Sequence, residues 1–417
     1  MLQVLRNTAY RRLFVAQVVA LVGTGLLTVA LGLLAYELAG SAAGAVLGTA
    51  LAIKMMAYVV VAPIISAAAY RVPRRVLLVG SDMVRATIAV LLPFVDQTWQ
   101  IYLLIFVLQA ASATFTPTFQ SVIPTILVAE QDYTRGLVLS RMAYDLETLL
   151  SPVLAAALLT VLTYHHLFLG TVLGFGVSAI LVLRTALPHA APVASLESFW
   201  QRTVSGGRIM LTRPVLRALM ALNLAVASAT ALVVVNTVVY VHDTLASSSA
   251  AVAVLLACYG GGSMIVALCL QRLLRRISDR RLMLTGAALI SVTLVAVAIL
   301  LLVEPGPTAG WAAFAFAWMS LGVGASLINT PAARLVRYES EPDSRPAVFA
   351  AQFSLSHACF FLTYPLAGWL GVLAGQPVAA GVLGALAVAA TGAAARIWPT
   401  TRESVTTVQG PQLLYRG

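Results

Sequence analysis

Apolar residues run through the chain in long blocks near 13–38, 44–69, 76–95, 99–119, 137–162, 165–187, 214–240, 248–271, 282–303, 309–333, 347–373 and 377–396. Short polar segments rich in Arg, Gly and Pro separate them. A run of about 20 apolar residues in helical form matches the hydrocarbon thickness of a bilayer. Inside a bilayer only helices and closed barrels satisfy every backbone polar group. A barrel would alternate apolar and polar positions over segments of about 10 residues, and these blocks do not alternate. The pattern predicts an all-α membrane protein with twelve transmembrane helices. The first block, of about 26 residues, is too long for a signal-peptide core and no cleavage site follows, so it reads as an uncleaved helix.

The polar segments give the orientation. With the N-terminus in the cytoplasm, Arg6, Arg11, Arg12, Arg71, Arg74, Arg75, Arg85, Arg135, Arg141 and Arg184 fall at or near the inner face. The same side takes Arg202, Arg208, Arg213, Arg217, Arg272, Arg275, Arg276, Arg280, Arg281, Arg334, Arg337, Arg345, Arg396, Arg402 and Arg416. The outer connections hold no basic residue, and Lys54 is inside a helix. Basic loops are retained in the cytoplasm, so this alternation predicts both termini there. The segment 188–213, PHAAPVASLESFWQRTVSGGRIMLTR, follows six blocks and reads first as a tether. Its part SLESFWQRTVSGGRIM also has the composition of an amphipathic surface helix, with Phe199 and Trp200 at the interface.

Composition narrows the class. Of 417 residues 60% are hydrophobic and only 10% charged, against roughly 25% charged in soluble domains. That excludes an ordinary soluble enzyme and a disordered chain. The net charge of +11 comes from inner loops, not from a nucleic-acid surface. Cys258, Cys269 and Cys359 lie inside apolar blocks without metal-ligand or disulfide spacing. No Walker loop, G-x-S-x-G or H-E-x-x-H occurs, so neither an ATP-driven pump nor an enzyme is expected, and no cofactor.

The chain repeats itself. RRVLLVG at 74–80 matches RRLMLTG at 280–286, and FTPTFQSVIP at 115–124 pairs with INTPAARLVR at 328–337. Pro117 and Pro152 then correspond to Pro331 and Pro365. Matching positions in equally oriented halves predict two six-helix parallel repeats: an N-terminal bundle 1–187, a linker 188–213, a C-terminal bundle 214–398 and a tail 399–417.

At this point the chain resembles the major facilitator superfamily over essentially its whole length. YRRLFVAQVVALVGTGLLTVALGLLAYELAGSAAG is similar to the bacterial exporter branch that includes drug–proton antiporters and the enterobactin exporter. PTFQSVIPTILVAEQDYTRGLVLSRMAYDLETLLSP extends the likeness, and its AYDLE stretch also resembles nickel-resistance exporters, although the tail lacks their His-rich segment. The chain departs from the family in the loop after the second span. The usual G-x-L-a-D-R-x-G-R-R is here Ser66-Ala67-Ala68-Ala69-Tyr70-Arg71-Val72-Pro73-Arg74-Arg75, with Tyr70 in place of the Asp that helps latch the inner gate. The arginine motif of the fourth span is missing, and G-P-x-x-G-G of the fifth is Ser151-Pro152-Val153-Leu154-Ala155-Ala156. By resemblance, Tyr70, Arg71, Arg74, Arg75, Arg280 and Arg281 are candidates for an inner gate.

Ionisable residues inside a membrane are costly and call for a role. Arg141 and Asp145 are one helical turn apart and suit a pair. Glu147 shares a polar stripe with Tyr144, Thr148 and Ser151. It is either a proton or substrate site or a member of a structural pair. Lys54 lies about ten residues into the second block, too deep to snorkel easily, and has either a permanent partner or a functional role. His357 shares a face with Ser354, Phe361 and Tyr364, and is a packing histidine, a proton relay or a metal ligand. His165 and His166 read as solvated. Gln17, Gln109, Asn223, Asn236, Gln352 and Asn329 either line a path or join helices. Gly40, Gly44 and Gly48 suit close helix packing.

The expectation is a monomeric secondary active transporter of the inner membrane, exporting a small molecule or drug in exchange for protons by alternating access. Its partners are the substrate, protons and the lipid bilayer. Nickel or related divalent-cation export and organic-solute uptake remain open as alternatives, and a membrane sensor stands outside transport.

Overall fold

The computed structural model describes residues 2–68, 72–187, 199–303, 306–341 and 344–399. All regular structure among them is helical. The long helices are α1 (Thr8–Ala39), α2 (Ala43–Ala68), α3 (Arg74–Leu91), α4 (Thr98–Ile126), α5 (Glu130–Leu159) and α6 (His165–Leu183). A shorter α7 (Phe199–Thr212) leads into α8 (Pro214–Ala231). Then come α9 (Ser249–Arg276), α10 (Asp279–Val303), α11 (Pro307–Glu339), α12 (Arg345–Leu373) and α13 (Gln376–Ile397).

Local chemistry sets the boundaries. Asn7 caps α1, its side chain accepting from the backbone N–H of Ala9 at 3.0 Å and Tyr10 at 3.1 Å. Gly40 ends α1 at φ +54°, a conformation other residues adopt at a cost, and the chain reverses into α2. Pro214 opens α8 at a position where its missing N–H is harmless. Beyond α8 the chain widens into π-helical turns at Leu232–Asn236 and Tyr240–Thr244. The run Val233-Val234-Val235 is β-branched and stiff in a helix, and Asn236 turns aside to donate to the Ala367 carbonyl oxygen at 3.1 Å. These turns carry the helix past its expected end near residue 240.

Ten segments of the described chain are long and apolar enough to cross a membrane. The first, Thr8–Tyr58, contains two helices joined at Gly40. Helix α5 is 30 residues long but begins with the polar stretch Glu130-Gln131-Asp132. The protein is a multi-pass membrane protein.

The packing of α1–α6 is repeated in α8–α13. Helix α1 lies against α5 and α6, as α8 lies against α12 and α13. Helix α3 lies against α4 and α6, as α10 lies against α11 and α13. Helix α2 packs on α4, as α9 packs on α11. The two sets meet through α2 on α12 and α5 on α9. Helix α7 packs along α12, its Gly206 against the backbone of Ala347.

Candidate functional site

A cavity of about 340 Å³ lies at mid-depth between the two sets of helices. Helices α1 and α5 form one wall with Thr28, Glu147 and Ser151; α8, α9, α11 and α12 form the other, with Thr230, Tyr259, Ser326 and Phe360. Glu147 is the one carboxylate among its described lining residues. Gly25 faces this carboxylate: a Cβ there would stand 2.9 Å from Glu147 Oε1 and collide with Ser151. The Ser151 hydroxyl is buried and unpaired among the described residues.

Lys54 reaches the same region from α2 and is half-buried. Its charge acts on Glu147 and on His357, and no carboxylate among the described residues lies within ion-pair distance of it. One turn on from Lys54, the Tyr58 ring meets His357 of α12 with centroids 5.8 Å apart. His357 has its Nδ1 2.7 Å from the Phe353 carbonyl oxygen and its ring 4.0 Å from that of Phe353. Lys54 thus lies near two other sequence candidates, Glu147 of α5 and His357 of α12. Arg141, Asp145 and Thr148 lie on α5, but their side chains fall outside the described ones. Among the described residues no three His, Cys, Asp or Glu side chains are grouped as a metal site.

The other polar candidates hold helices together. Tyr144 is hydrogen-bonded to Gln17 and Thr116, and Ser140 donates to Gln17 Oε1. Gln352 Nε2 donates to Asn223 Oδ1 at 3.2 Å. Asn236 Nδ2 also donates to Gln376 Oε1 at 2.6 Å. Gln109 is buried. None of these lines the described cavity, whereas Asn329 does.

Where the α1–α2 turn lies, the two sets touch. Gly368 of α12 rests on the backbone of Gly44, and Gly48 faces the Tyr364 carbonyl. Trp369 Nε1 donates to Thr49 Oγ1 at 3.0 Å. The Tyr36 hydroxyl donates to Asp243, and its ring stacks on His242 at 4.3 Å. This end of the bundle is closed by contacts from α1 and α2 to α12 and the extension of α8.

At the opposite end, Tyr70 and Arg71 lie outside the described residues. Arg75 donates to the Thr185 carbonyl oxygen at 2.6 Å, beyond the end of α6. Arg280 donates to the carbonyl oxygens of Ala395 at 3.0 Å and Trp398 at 3.2 Å, at the end of α13. Cations there satisfy free carbonyls and the negative helix end. Arg74 also has a partner, and Arg281 is exposed. Arg75 and Arg280 therefore cap helices within their own set.

One charged group is misplaced by sequence reasoning. Arg85, counted above with the inner-loop cations, is buried within α3, paired with the fully buried Asp82. Asp82 Oδ2 accepts from Ser178 of α6 at 2.7 Å. The Arg85 guanidinium lies 4.3 Å from the Phe115 ring centroid and 4.4 Å from that of Phe175. The available signal was the i, i+3 pair of opposite charges inside the apolar block 76–95.

Comparison with known proteins agrees with this geometry. The model of the Major Facilitator Superfamily matches residues 13–307 and, overlapping it, 219–413. Macrolide efflux protein A of Streptococcus pyogenes is 26% identical over 205 residues, 48% of this chain and 50% of that protein. Macrolide efflux protein A of Enterococcus faecalis is 26% identical over 176 residues, 40% of this chain and 54% of that protein. The chain thus spans about half the length of the curated relatives it matches. Among solved structures, the nucleoside transporter NupG superposes with a TM-score of 0.77 at 12% identity, covering 94% of this chain and 100% of that one. A D-xylose-proton symporter superposes with a TM-score of 0.68 at 12% identity, covering 94% and 98%. At such identity the structures speak for the fold alone. The family match, extending over most of the sequence, makes this chain a member of the Major Facilitator Superfamily.

Proposed function

We propose that the protein is a proton-coupled exporter of a small organic molecule, working by alternating access. The observation that carries this reading is Glu147, a carboxylate on the wall of a cavity lined by helices of both sets, with Lys54 beside it. A carboxylate without a fixed ion pair, in a cavity exposed alternately to each side, binds a proton on one side and releases it on the other. The efflux relatives favour export, and a macrolide is the first substrate to try.

In this reading the chain crosses the bilayer twelve times, with both termini and residues 188–213 in the cytoplasm, as the distribution of arginine requires. Bundles 1–187 and 214–398 rock about the cavity. The closed end, held by Gly44, Gly48, Gly368 and Tyr36, then faces outward, and the cavity serves the cytoplasm. Cysteine placed at Ala194, with Cys258, Cys269 and Cys359 removed, should resist an impermeant thiol reagent in intact cells.

The deciding experiment is pH-gradient-driven accumulation of a radiolabelled macrolide in proteoliposomes. Glu147→Gln imitates the protonated carboxyl with little change of shape. It should abolish uphill accumulation and leave downhill exchange and the melting curve intact. Undiminished uphill transport by the variant would remove Glu147 from the mechanism.

A further inference from the structure

Helix α7 is neither a spanning helix nor a loose tether. Its 14 residues extend about 21 Å, short of what a bilayer needs. It is fixed to helices of the second set. Gly206 lies on α12, where a Cβ would stand 1.9 Å from the Ala347 carbonyl oxygen and 2.9 Å from the Val348 nitrogen. Met210, one turn on, is fully buried in the core that includes Leu216 and Leu219 of α8. The residues at these contacts mark a level. The apolar span carried by α12 begins at Ala347, and the one carried by α8 begins at Pro214. Helix α7 therefore lies beside the boundary of the bilayer, where two spans enter it.

The side away from α12 is uncovered. Gly206 and Met210, four residues apart, define the packed side. Val204, Arg208 and Leu211, spaced by four and three, share the opposite one. Val204 is 69% exposed and Leu211 58%, and Arg208 between them is exposed too. Apolar side chains bared to this degree are ordinary on a helix that spans lipid; on one that does not, they mark a surface with a partner. Beyond the end of α7, Arg213 and Arg217 are exposed, one turn apart, with the Arg217 N–H bonded to the Arg213 carbonyl oxygen. No carboxylate among the described residues pairs with any of the three arginines, and residues 199–217 contain neither Asp nor Glu.

Position and charge decide the occupant. The stripe is level with the starts of two spans, so acyl chains are already beside it. Guanidinium groups without acidic partners match phosphate oxygens. An apolar stripe flanked by cations is the pattern of a helix that lies in an anionic membrane surface.

We propose that α7 is a lipid-docking helix: Val204 and Leu211 enter the inner leaflet, and Arg208, Arg213 and Arg217 take the headgroups of anionic phospholipids there. Which leaflet it meets rests on the orientation given above; the docking itself does not. Because Gly206 holds α7 on α12, the lipid is attached to the second set of helices and not to a free linker.

The test uses the full chain in vesicles. Bimane on Val204→Cys, with Cys258, Cys269 and Cys359 removed, reports the surroundings of the stripe. Brominated acyl chains quench it only if the stripe lies in the bilayer. Brominated phosphatidylglycerol and brominated phosphatidylcholine, compared at equal mole fraction, give the relative affinity of the two headgroups. The labelled protein should be quenched by both, and should prefer phosphatidylglycerol by about fivefold or more, the attraction of one arginine being the least that the site supplies. The triple variant Arg208→Gln, Arg213→Gln, Arg217→Gln should lose the preference and keep the melting temperature, since all three side chains are exposed. Inorganic phosphate added at matched ionic strength should leave the preference in place; if it abolishes it, the site takes a free anion and lipid docking is overturned. Quenching by aqueous iodide, with none from brominated lipid, would place the stripe in water or under a soluble partner and overturn the docking. Equal affinity for both lipids, or a preference undiminished in the triple variant, would overturn the headgroup assignment. Thiol access at Ala194 tests the orientation separately, so a wrong leaflet and a failed dock give different results.

Discussion

Gly48→Ala adds one methyl group where α2 crosses α12. A Cβ at this position would stand 2.5 Å from the Tyr364 carbonyl oxygen and 3.2 Å from its carbonyl carbon. Ordinary contact needs roughly 3.4 Å or more, so the two backbones must part by nearly 1 Å, and backbone does not yield as a side chain does. The nearby bond from Trp369 Nε1 to Thr49 Oγ1, 3.0 Å long, is strained by the same movement. Overpacking of this kind costs about 1–3 kcal/mol. On the proposed alternating-access cycle the cost falls only on the state in which this end is closed, since in the opposite state the helices separate. The ratio of closed to open should fall about 5- to 150-fold. Spin labels at Ser41 and Ser248, both exposed at this end, report the change as pulsed electron–electron distances after removal of the native cysteines. The distance distribution should gain a longer population in the variant at an unchanged melting temperature. Identical distributions would refute the claim that backbone contact at Gly48 holds the end shut.

Tyr36→Phe removes the hydrogen bond to Asp243 and keeps the stack on His242. It should weaken the closed state by about 1 kcal/mol, less than Gly48→Ala can, because the bond is exposed; the same labels measure it. Lys54→Met keeps the apolar stem and removes the charge that acts on Glu147, so the pH profile of the proposed transport should change, and a normal rate and profile would reduce Lys54 to packing. Arg280→Gln loses the charged cap on the carbonyls of Ala395 and Trp398; it should cost about 1 kcal/mol in a thermal melt without altering the distances at the closed end.

The sequence alone carried the helical membrane class, because apolar length and the absence of alternation are properties of consecutive residues. It carried the family resemblance for the same reason. It also named Glu147 as the carboxylate to watch, since its polar stripe on one helix follows from a periodicity of about 3.6 residues.

What tertiary structure decided is every relation between helices. Periodicity fixes which residues share a face and says nothing about the partner of that face. Only the packing of α2 against α1, α4 and α12 brought Lys54 near Glu147 on one side and His357 on the other. Packing gave Gln17, Asn223 and Asn236 their helix-joining bonds and set Arg75 and Arg280 on the carbonyls at helix ends. Arg85 is the sharpest case. In sequence it is one more arginine close to the cluster Arg71, Arg74 and Arg75. The helix starts at Arg74, however, so the rise of the chain carries Arg85 into the bundle, where Asp82, Ser178 and two phenylalanine rings from other helices make a buried charge tolerable.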